Sequence, residues 1–196
     1  MTDPTPLWLG RTTLLDAESM HRFGITLAAA LQAGDLLVLT GPLGAGKTTL
    51  TRGLGEGLGV RGPVTSPTFV LARTHPSLVG GPPLVHVDAY RLQSALELDD
   101  LDIDFARSIV VVEWGRGMLD GITESWLDVQ IDRPRGGRVV APTDAAASVA
   151  RDVAADVAAD VAGPDDADED DLDEPRTVTI TAHGPRWAHL GVARRP

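Results

Sequence analysis

Residues 41–48 read GPLGAGKT and fit the pattern G-x-x-x-x-G-K-[ST], in which each residue type has a chemical reason for its place. The glycines permit positive φ angles, so successive main-chain N–H groups can curl around an anion. Lys47 would set a compact positive charge against the β- and γ-phosphates of a nucleotide, and the Thr48 hydroxyl would bind magnesium. Lys47 is also the only lysine in the chain, beside sixteen arginines. The arginine guanidinium is too wide for such a loop. We therefore predict a nucleotide site formed by Gly41, Pro42, Leu43, Gly44, Ala45, Gly46, Lys47, Thr48 and Thr49.

Two apolar segments each end in a carboxylate: LVHVD at 84–88 ends in Asp88, and IVVVE at 109–113 ends in Glu113. Ligands of parallel sheets gather at the carboxyl ends of the strands, so both acids are expected to face the nucleotide site. A buried strand that delivers an acid to the magnesium shell is the Walker-B pattern. One acid is expected to hold magnesium and the other to orient the attacking water, and the residues alone do not decide which. Taken singly, either acid could equally lie in an ordinary surface turn.

A hydroxyl-rich segment, VTSPTF at 64–69, follows the helix that the loop should begin. Many nucleotide hydrolases carry a segment at this place that senses the γ-phosphate. Thr65, Ser66 and Thr68 are the candidates, and we include Thr68 among the catalytic residues. A Ser-Pro turn with local side-chain hydrogen bonds explains the same residues equally well.

Periodicity predicts the elements that position these groups. Strands are expected at 35–40, 69–74, 84–88 and 109–113, and two alternating strands at 126–131 and 176–181 should pair antiparallel near the C-terminus. Helices are expected from Asp16, as N-cap, to Gly34, at 49–58 and at 94–105. The second helix is rich in glycine, which indicates either close packing or mobility. One of Arg133, Arg135 and Arg138 could reach a phosphate, although a solvent-exposed turn is the expected place for them. The fold class is α/β, with the sheet of a phosphate-loop nucleotide hydrolase flanked by helices.

The chain has 196 residues, 43% of them hydrophobic, and no cysteine, so we expect one domain without disulfides. Its net charge of −11 lies in residues 141–175, an Ala/Asp-rich insert with twelve acids and one arginine that we expect to be disordered. The remainder is charge-balanced, which gives no sign of direct nucleic-acid binding. No apolar run approaches the roughly 18 residues of a membrane span and the start lacks a secretion signal, so a cytoplasmic protein without membrane contact is expected.

Five motifs follow one another along the chain: GPLGAGKTTL at 41–50, VTSPTFVL at 64–71, VHVDAYRL at 85–92, VVEWG at 111–115 and HGPRW at 183–187. Together they resemble the TsaE family, also called YjeE, of small bacterial ATPases. These proteins belong to the machinery that makes threonylcarbamoyladenosine in tRNA. The resemblance covers about residues 12–190 apart from the insert at 141–175, which is not associated with the family.

The resemblance implies a function and specific roles. Residues 41–48 would hold the phosphates of ATP, with magnesium on Thr48 and Glu113. Asp88 would be the second acid needed for hydrolysis, Thr68 would lie in a switch-like loop, and Trp114 would pack beside the site. The implied partners are a catalytic transferase subunit and its inactive paralogue, of the TsaD and TsaB type. ATP hydrolysis at their interface would permit further rounds, and tRNA would be contacted only indirectly.

Two other functions are compatible with a phosphate-binding loop. A kinase of a small metabolite would need an acceptor pocket and usually a lid that brings arginines over the phosphates, and the sequence shows no second domain and no arginine-dense lid. A non-hydrolysing ATP-dependent assembly module would not need the two strand-end acids. Phosphate transfer to a metabolite, phosphate release, or neither of them would distinguish these classes.

Overall fold

The computed structural model describes residues 9–119, 121–133 and 174–190. Nearly all of the predicted insert, residues 141–173, therefore lies outside the described residues. The chain forms a mixed α/β structure around a seven-stranded sheet in the order β1-β7-β6-β2-β5-β4-β3. The strands are β1 (Gly10–Leu14), β2 (Leu36–Thr40), β3 (Ala72–His75), β4 (Leu84–Asp88), β5 (Ile109–Glu113), β6 (Trp126–Asp132) and β7 (Arg176–His183); the α-helices are α1 (Ala17–Ala28), α2 (Lys47–Gly57) and α3 (Ala95–Asp99).

Strand directions decide which side chains meet. Strands β4, β5, β2 and β6 run parallel to one another in that spatial order, so their carboxyl ends share one edge of the sheet. The two alternating strands expected near the C-terminus, β6 and β7, pair antiparallel from Trp126 opposite His183 to Asp132 opposite Thr177. Strand β1 pairs antiparallel with β7 at one edge of the sheet, and strand β3 pairs antiparallel with β4 at the other edge.

Apolar side chains form a core on each face of the sheet. One core lies between the sheet and helices α1 and α2, and Leu37 and Leu39 of β2 belong to it. The other core contains their neighbours Leu36 and Val38, together with Leu98 of α3. Because successive residues of a strand point to opposite faces, β2 must be apolar throughout to fill both cores.

Helix α2 owes its glycines to close packing against α1. A Cβ atom on Gly53 would lie 2.1 Å from the main-chain oxygen of His21, and one on Gly24 would lie 2.4 Å from that of Leu50. Neither approach leaves room for a side chain, so the two helix backbones touch at these glycines. Of the two explanations left open by the sequence, close packing is therefore the correct one at this contact.

Three predicted boundaries were wrong. Helix α1 ends at Ala28, where i+3 hydrogen bonds tighten the chain; Gly34, at φ +91°, lies in the turn before β2. Helix α3 stops at Asp99, and Asp102 has the left-handed φ of +52°, which a continuing helix cannot contain. The strand predicted from 69 begins only at Ala72, after a turn in which Leu71 has φ +62°. In the described part of the chain, no helix has the length and apolar character needed to cross a membrane.

Candidate functional site

The glycine-rich loop, residues 41–48, connects the carboxyl end of β2 to the first turn of α2. Gly44 has φ +72° and Gly46, at the N-cap position of α2, has φ +99°, so both adopt the left-handed conformation that favours glycine. Helix α2 begins at Lys47. The loop is therefore built at the N-terminus of an eleven-residue helix, where unpaired N–H groups and the positive end of the helix dipole favour an anion.

The ammonium group of Lys47 lies against the main chain at the start of this loop. Its Nζ atom donates hydrogen bonds to the main-chain oxygens of Gly41, at 2.9 Å, and Pro42, at 3.1 Å. The same atom lies 4.1 Å from the ring centroid of Trp114, a cation–π distance. Only 5% of Lys47 is exposed. A buried cation in a loop of this kind is matched in position and charge to a phosphate group.

Trp114 follows directly on β5 and closes the site beside Lys47. Its φ of +62° is unusual for a non-glycine residue, and its N–H is fixed by a 3.0 Å hydrogen bond to the Leu39 oxygen. Tyr90 packs edge-on against the Trp114 ring, with 6.0 Å between the centroids. Backbone strain of this kind is maintained only where the surrounding structure imposes it, and it is common at functional sites.

Glu113 joins the strand-end acids to the loop. Its Oε1 atom accepts hydrogen bonds from the Thr48 hydroxyl, at 3.3 Å, and from His86 Nε2, at 2.8 Å. A hydroxyl and a carboxylate are the hard oxygen donors that magnesium prefers, so this pair fits that ion. In the described part of the chain, no group of three or more His, Cys, Asp or Glu is arranged to hold a metal.

Asp88 lies directly opposite Glu113 in the parallel register of β4 and β5. It is 5% exposed, and its Oδ1 atom accepts a 3.0 Å hydrogen bond from the N–H of Tyr90. That bond caps the short 3-10 turn at Ala89–Arg91. The structure thus brings both predicted acids to the same edge of the sheet, and it gives Asp88 a local capping contact as well.

Thr68 is a predicted site residue whose hydroxyl is hydrogen-bonded within its own segment. Its hydroxyl lies 2.7 Å from that of Ser66, as the alternative of local side-chain hydrogen bonds expects, while Arg73 donates to the Thr65 hydroxyl at 2.6 Å. No hydrogen bond in the described residues joins Thr68 to the loop, to Asp88 or to Glu113. A role for Thr68 stays a prediction.

Two further residues contact the site that the sequence did not assign. His86 was included only in an apolar run, although its place two residues before Asp88 puts it on the same face of β4. Arg133, expected in an exposed turn rather than at a phosphate, is instead only partly exposed, with 19% of its side chain accessible. It forms a 2.8 Å ion pair with Glu174, and its Nη1 atom lies 3.3 Å from where a Cβ on Gly44 would be. No sequence pattern indicates that contact, because it joins the end of β6 to the glycine-rich loop.

Comparison with known proteins gives a consistent result. A family model described as threonylcarbamoyl adenosine biosynthesis protein TsaE matches residues 14–140. The tRNA threonylcarbamoyladenosine biosynthesis protein TsaE of Streptomyces coelicolor is 50% identical over 89% of this chain and 97% of its own length. The protein of that name from Mycobacterium bovis is 47% identical over 63% of this chain and 79% of its own length. The crystal structure of Bacillus subtilis YdiB is similar, with a TM-score of 0.59 and 26% identity over 92% of this chain and 90% of that one. The match to the family model and the identity with the Streptomyces protein show that this chain belongs to the TsaE family.

Proposed function

We propose that this chain is a magnesium-dependent ATPase that acts in the synthesis of threonylcarbamoyladenosine in tRNA. Its partners would be a catalytic transferase subunit and that subunit's inactive paralogue, of the TsaD and TsaB type. The observation that carries the ATPase proposal is the assembly of Lys47, Thr48 and Glu113 at the carboxyl ends of parallel strands. The names of the relatives from Streptomyces coelicolor and Mycobacterium bovis support the place in tRNA modification.

The glycine-rich loop would bind the β- and γ-phosphates. Main-chain N–H groups at the start of α2 would donate to the phosphate oxygens, and Lys47 would offset their charge. Lys47 can do this because its ammonium already lies inside the loop, held by the oxygens of Gly41 and Pro42. Little rearrangement is then needed when a phosphate group replaces one of these partners, and preorganised charge is the main catalytic resource in phosphoryl transfer.

We assign the two acids separate roles. Glu113 contacts the Thr48 hydroxyl, so these two residues would hold magnesium directly or through its water shell. When bound, magnesium would neutralise charge that develops on the β- and γ-phosphate oxygens. Asp88, opposite Glu113 and fixed by the Tyr90 N–H, is left to orient the attacking water. Thr68 would join the site only after a movement of the segment 64–71.

Phosphate release from ATP and magnesium tests this proposal, first with the chain alone and then with the purified transferase pair. We expect slow release by the chain alone and strong stimulation by the pair. If ATP binds but the pair gives no stimulation, the nucleotide site stands and the partner assignment fails. Transfer of the phosphate to a small metabolite would make the protein a kinase instead. Binding without release, with or without partners, would favour a non-hydrolysing assembly module.

A further inference from the structure

We propose that His86 is a positioning residue for Glu113. This inference rests on the proposed function, in which Glu113 and Thr48 hold magnesium. His86 is fully buried, with 0% of its surface exposed, and its Nε2 atom lies 2.8 Å from Glu113 Oε1. An ionised carboxylate can only accept a hydrogen bond, so the proton of this bond belongs to His86 Nε2. The imidazole therefore orients the carboxylate from inside the sheet.

The register of the sheet builds this pair. On β4, His86 and Asp88 lie on one face, while Val85 and Val87, which alternate with them, belong to the core of the opposite face. His86 is directly opposite Val111 of β5, and Glu113 is two residues farther along that strand, on the same face. A diagonal pair at this spacing is within reach of long side chains. One strand thus supplies both the second acid of the site and the group that holds the first acid.

The surroundings of His86 argue for a specific role. A buried polar group costs free energy unless it is hydrogen-bonded, and His86 Nδ1 has no hydrogen-bond partner among the described residues. An apolar side chain at 86 would avoid that cost and would match Leu84, Val85 and Val87 of the same strand. The bond to Glu113 is the one described contact that accounts for a histidine here. Partners that orient a metal-binding side chain commonly change metal affinity by about 10- to 100-fold when they are removed.

His75 is a matched control. It is another buried histidine, 4% exposed, and lies on the neighbouring strand β3, opposite Leu84. Its Nδ1 atom contacts the Arg61 oxygen at 3.4 Å, and its Nε2 atom also has no hydrogen-bond partner among the described residues. His75 shares the burial and the unpaired nitrogen of His86, but it has no hydrogen bond to Glu113.

The experiment compares the full chain with its His86→Leu, His86→Gln and His75→Leu variants. Affinity for ATP that carries a methylanthraniloyl fluorophore is measured by fluorescence, without magnesium and over a magnesium titration. Phosphate release and the thermal unfolding midpoint are measured in parallel. For His86→Leu we expect the magnesium midpoint to rise about tenfold, with magnesium-free affinity changed less than about twofold. His86→Gln should recover part of the shift, because its amide can still donate to Glu113.

Each outcome is decisive. A magnesium midpoint in both His86 variants that equals that of the unsubstituted chain would overturn the inference. So would an equal shift in His75→Leu, because loss of any buried histidine would then explain the effect. If His86→Leu does not fold, His86→Gln still answers the question. The proposed function fails separately, if the unsubstituted chain itself shows no magnesium dependence and releases no phosphate.

Discussion

Strands β2, β4 and β5 are covered on both faces, whereas strands β1, β6 and β7 are covered on one face only. Every residue of β4 and β5 is buried, and in β2 only Thr40 is partly exposed. In β6 and β7 buried residues alternate with partly exposed ones. A strand of the first set packs against apolar cores on both faces, whereas a strand of the second set packs on one face and turns polar side chains away from the core.

This difference changes what a polar residue means. On β7, Thr177, Thr179 and Thr181 follow the alternation and need no functional explanation. On a strand that is covered on both faces, a polar side chain must lose its water, which is unfavourable unless it finds a partner. His86, Asp88 and Glu113 are such residues, and all three lie at or near the edge that carries the glycine-rich loop.

Lys47→Ala should give the largest effect at this edge. Loss of the buried ammonium should lower phosphate release by a factor on the order of 1000, because one preorganised charge is removed from the phosphates. Nucleotide affinity should fall as well, and both are measured against the unsubstituted chain. Glu56→Ala, on an exposed position of the same helix, is the control and should stay within about twofold of the unsubstituted chain. Comparable losses in both variants would contradict the assignment of the loop.

Asp88→Asn and Glu113→Gln test whether the acids on the fully buried strands β4 and β5 serve catalysis. Each should lower phosphate release about 100-fold, since a neutral amide neither orients water as a base nor binds magnesium well. Asp128→Asn is the matched change on β6, which is covered on one face, and there Asp128 forms a 2.8 Å ion pair with Arg116. It should leave release within about twofold, because such pairs contribute little. If the loss of phosphate release in each site variant were explained by a matching loss of thermal stability, the acids would be structural.

Much of this arrangement was predictable because it depends on local sequence. The strands that end in Asp88 and Glu113, and the left-handed glycines of the loop, follow from short patterns with one structural solution. The N-cap of α1 is equally local. The Asp16 side chain accepts a hydrogen bond from the Ser19 N–H, and the Ser19 hydroxyl oxygen accepts one from the Asp16 N–H. Patterns of this kind carry their own physical reason, so the structure had little freedom to differ.

Features that depend on two distant segments were not predictable. The pairing of His86 with Glu113 requires the register of β4 against β5. The close approach of α1 to α2 requires Gly24 to meet Gly53. The length of α3 was overestimated because its acidic residues fit a solvated helix face, while the left-handed Asp102 ends any continuation. A single sequence shows each half of such a contact without showing that the halves meet.

Ile109→Val and Ile180→Val extend the comparison to stability. Both isoleucines are buried: Ile109, on the two-sided strand β5, is 0% exposed, and Ile180, on the one-sided strand β7, is 2% exposed. Each substitution should lower the free energy of unfolding by about 0.5–1.5 kcal/mol, because a methyl group leaves a packed core. Thr179→Ala, on the uncovered face of β7, should stay within about 0.5 kcal/mol of the unsubstituted chain. Urea unfolding measures all three, and a large loss in Thr179→Ala would show that this face is covered after all.

The smallest effect concerns pH and the buried histidine of β3. Burial lowers the pKa of His75 below its ordinary value of 6.5, and the charges of His86 and Arg73 lower it further, while the Arg61 oxygen acts in the opposite direction. The unfolded chain then binds the proton more readily than the folded chain, so the stability contribution is complete above about pH 6.5 and is lost as the pH falls through the folded pKa. His75→Gln should flatten the decrease in unfolding free energy between about pH 7.5 and 5.5, measured by urea unfolding. Thr74→Ala, an exposed and non-titrating neighbour, should keep the slope of the unsubstituted chain. Parallel curves for His75→Gln and the unsubstituted chain would show that this histidine is protonated equally well in both states.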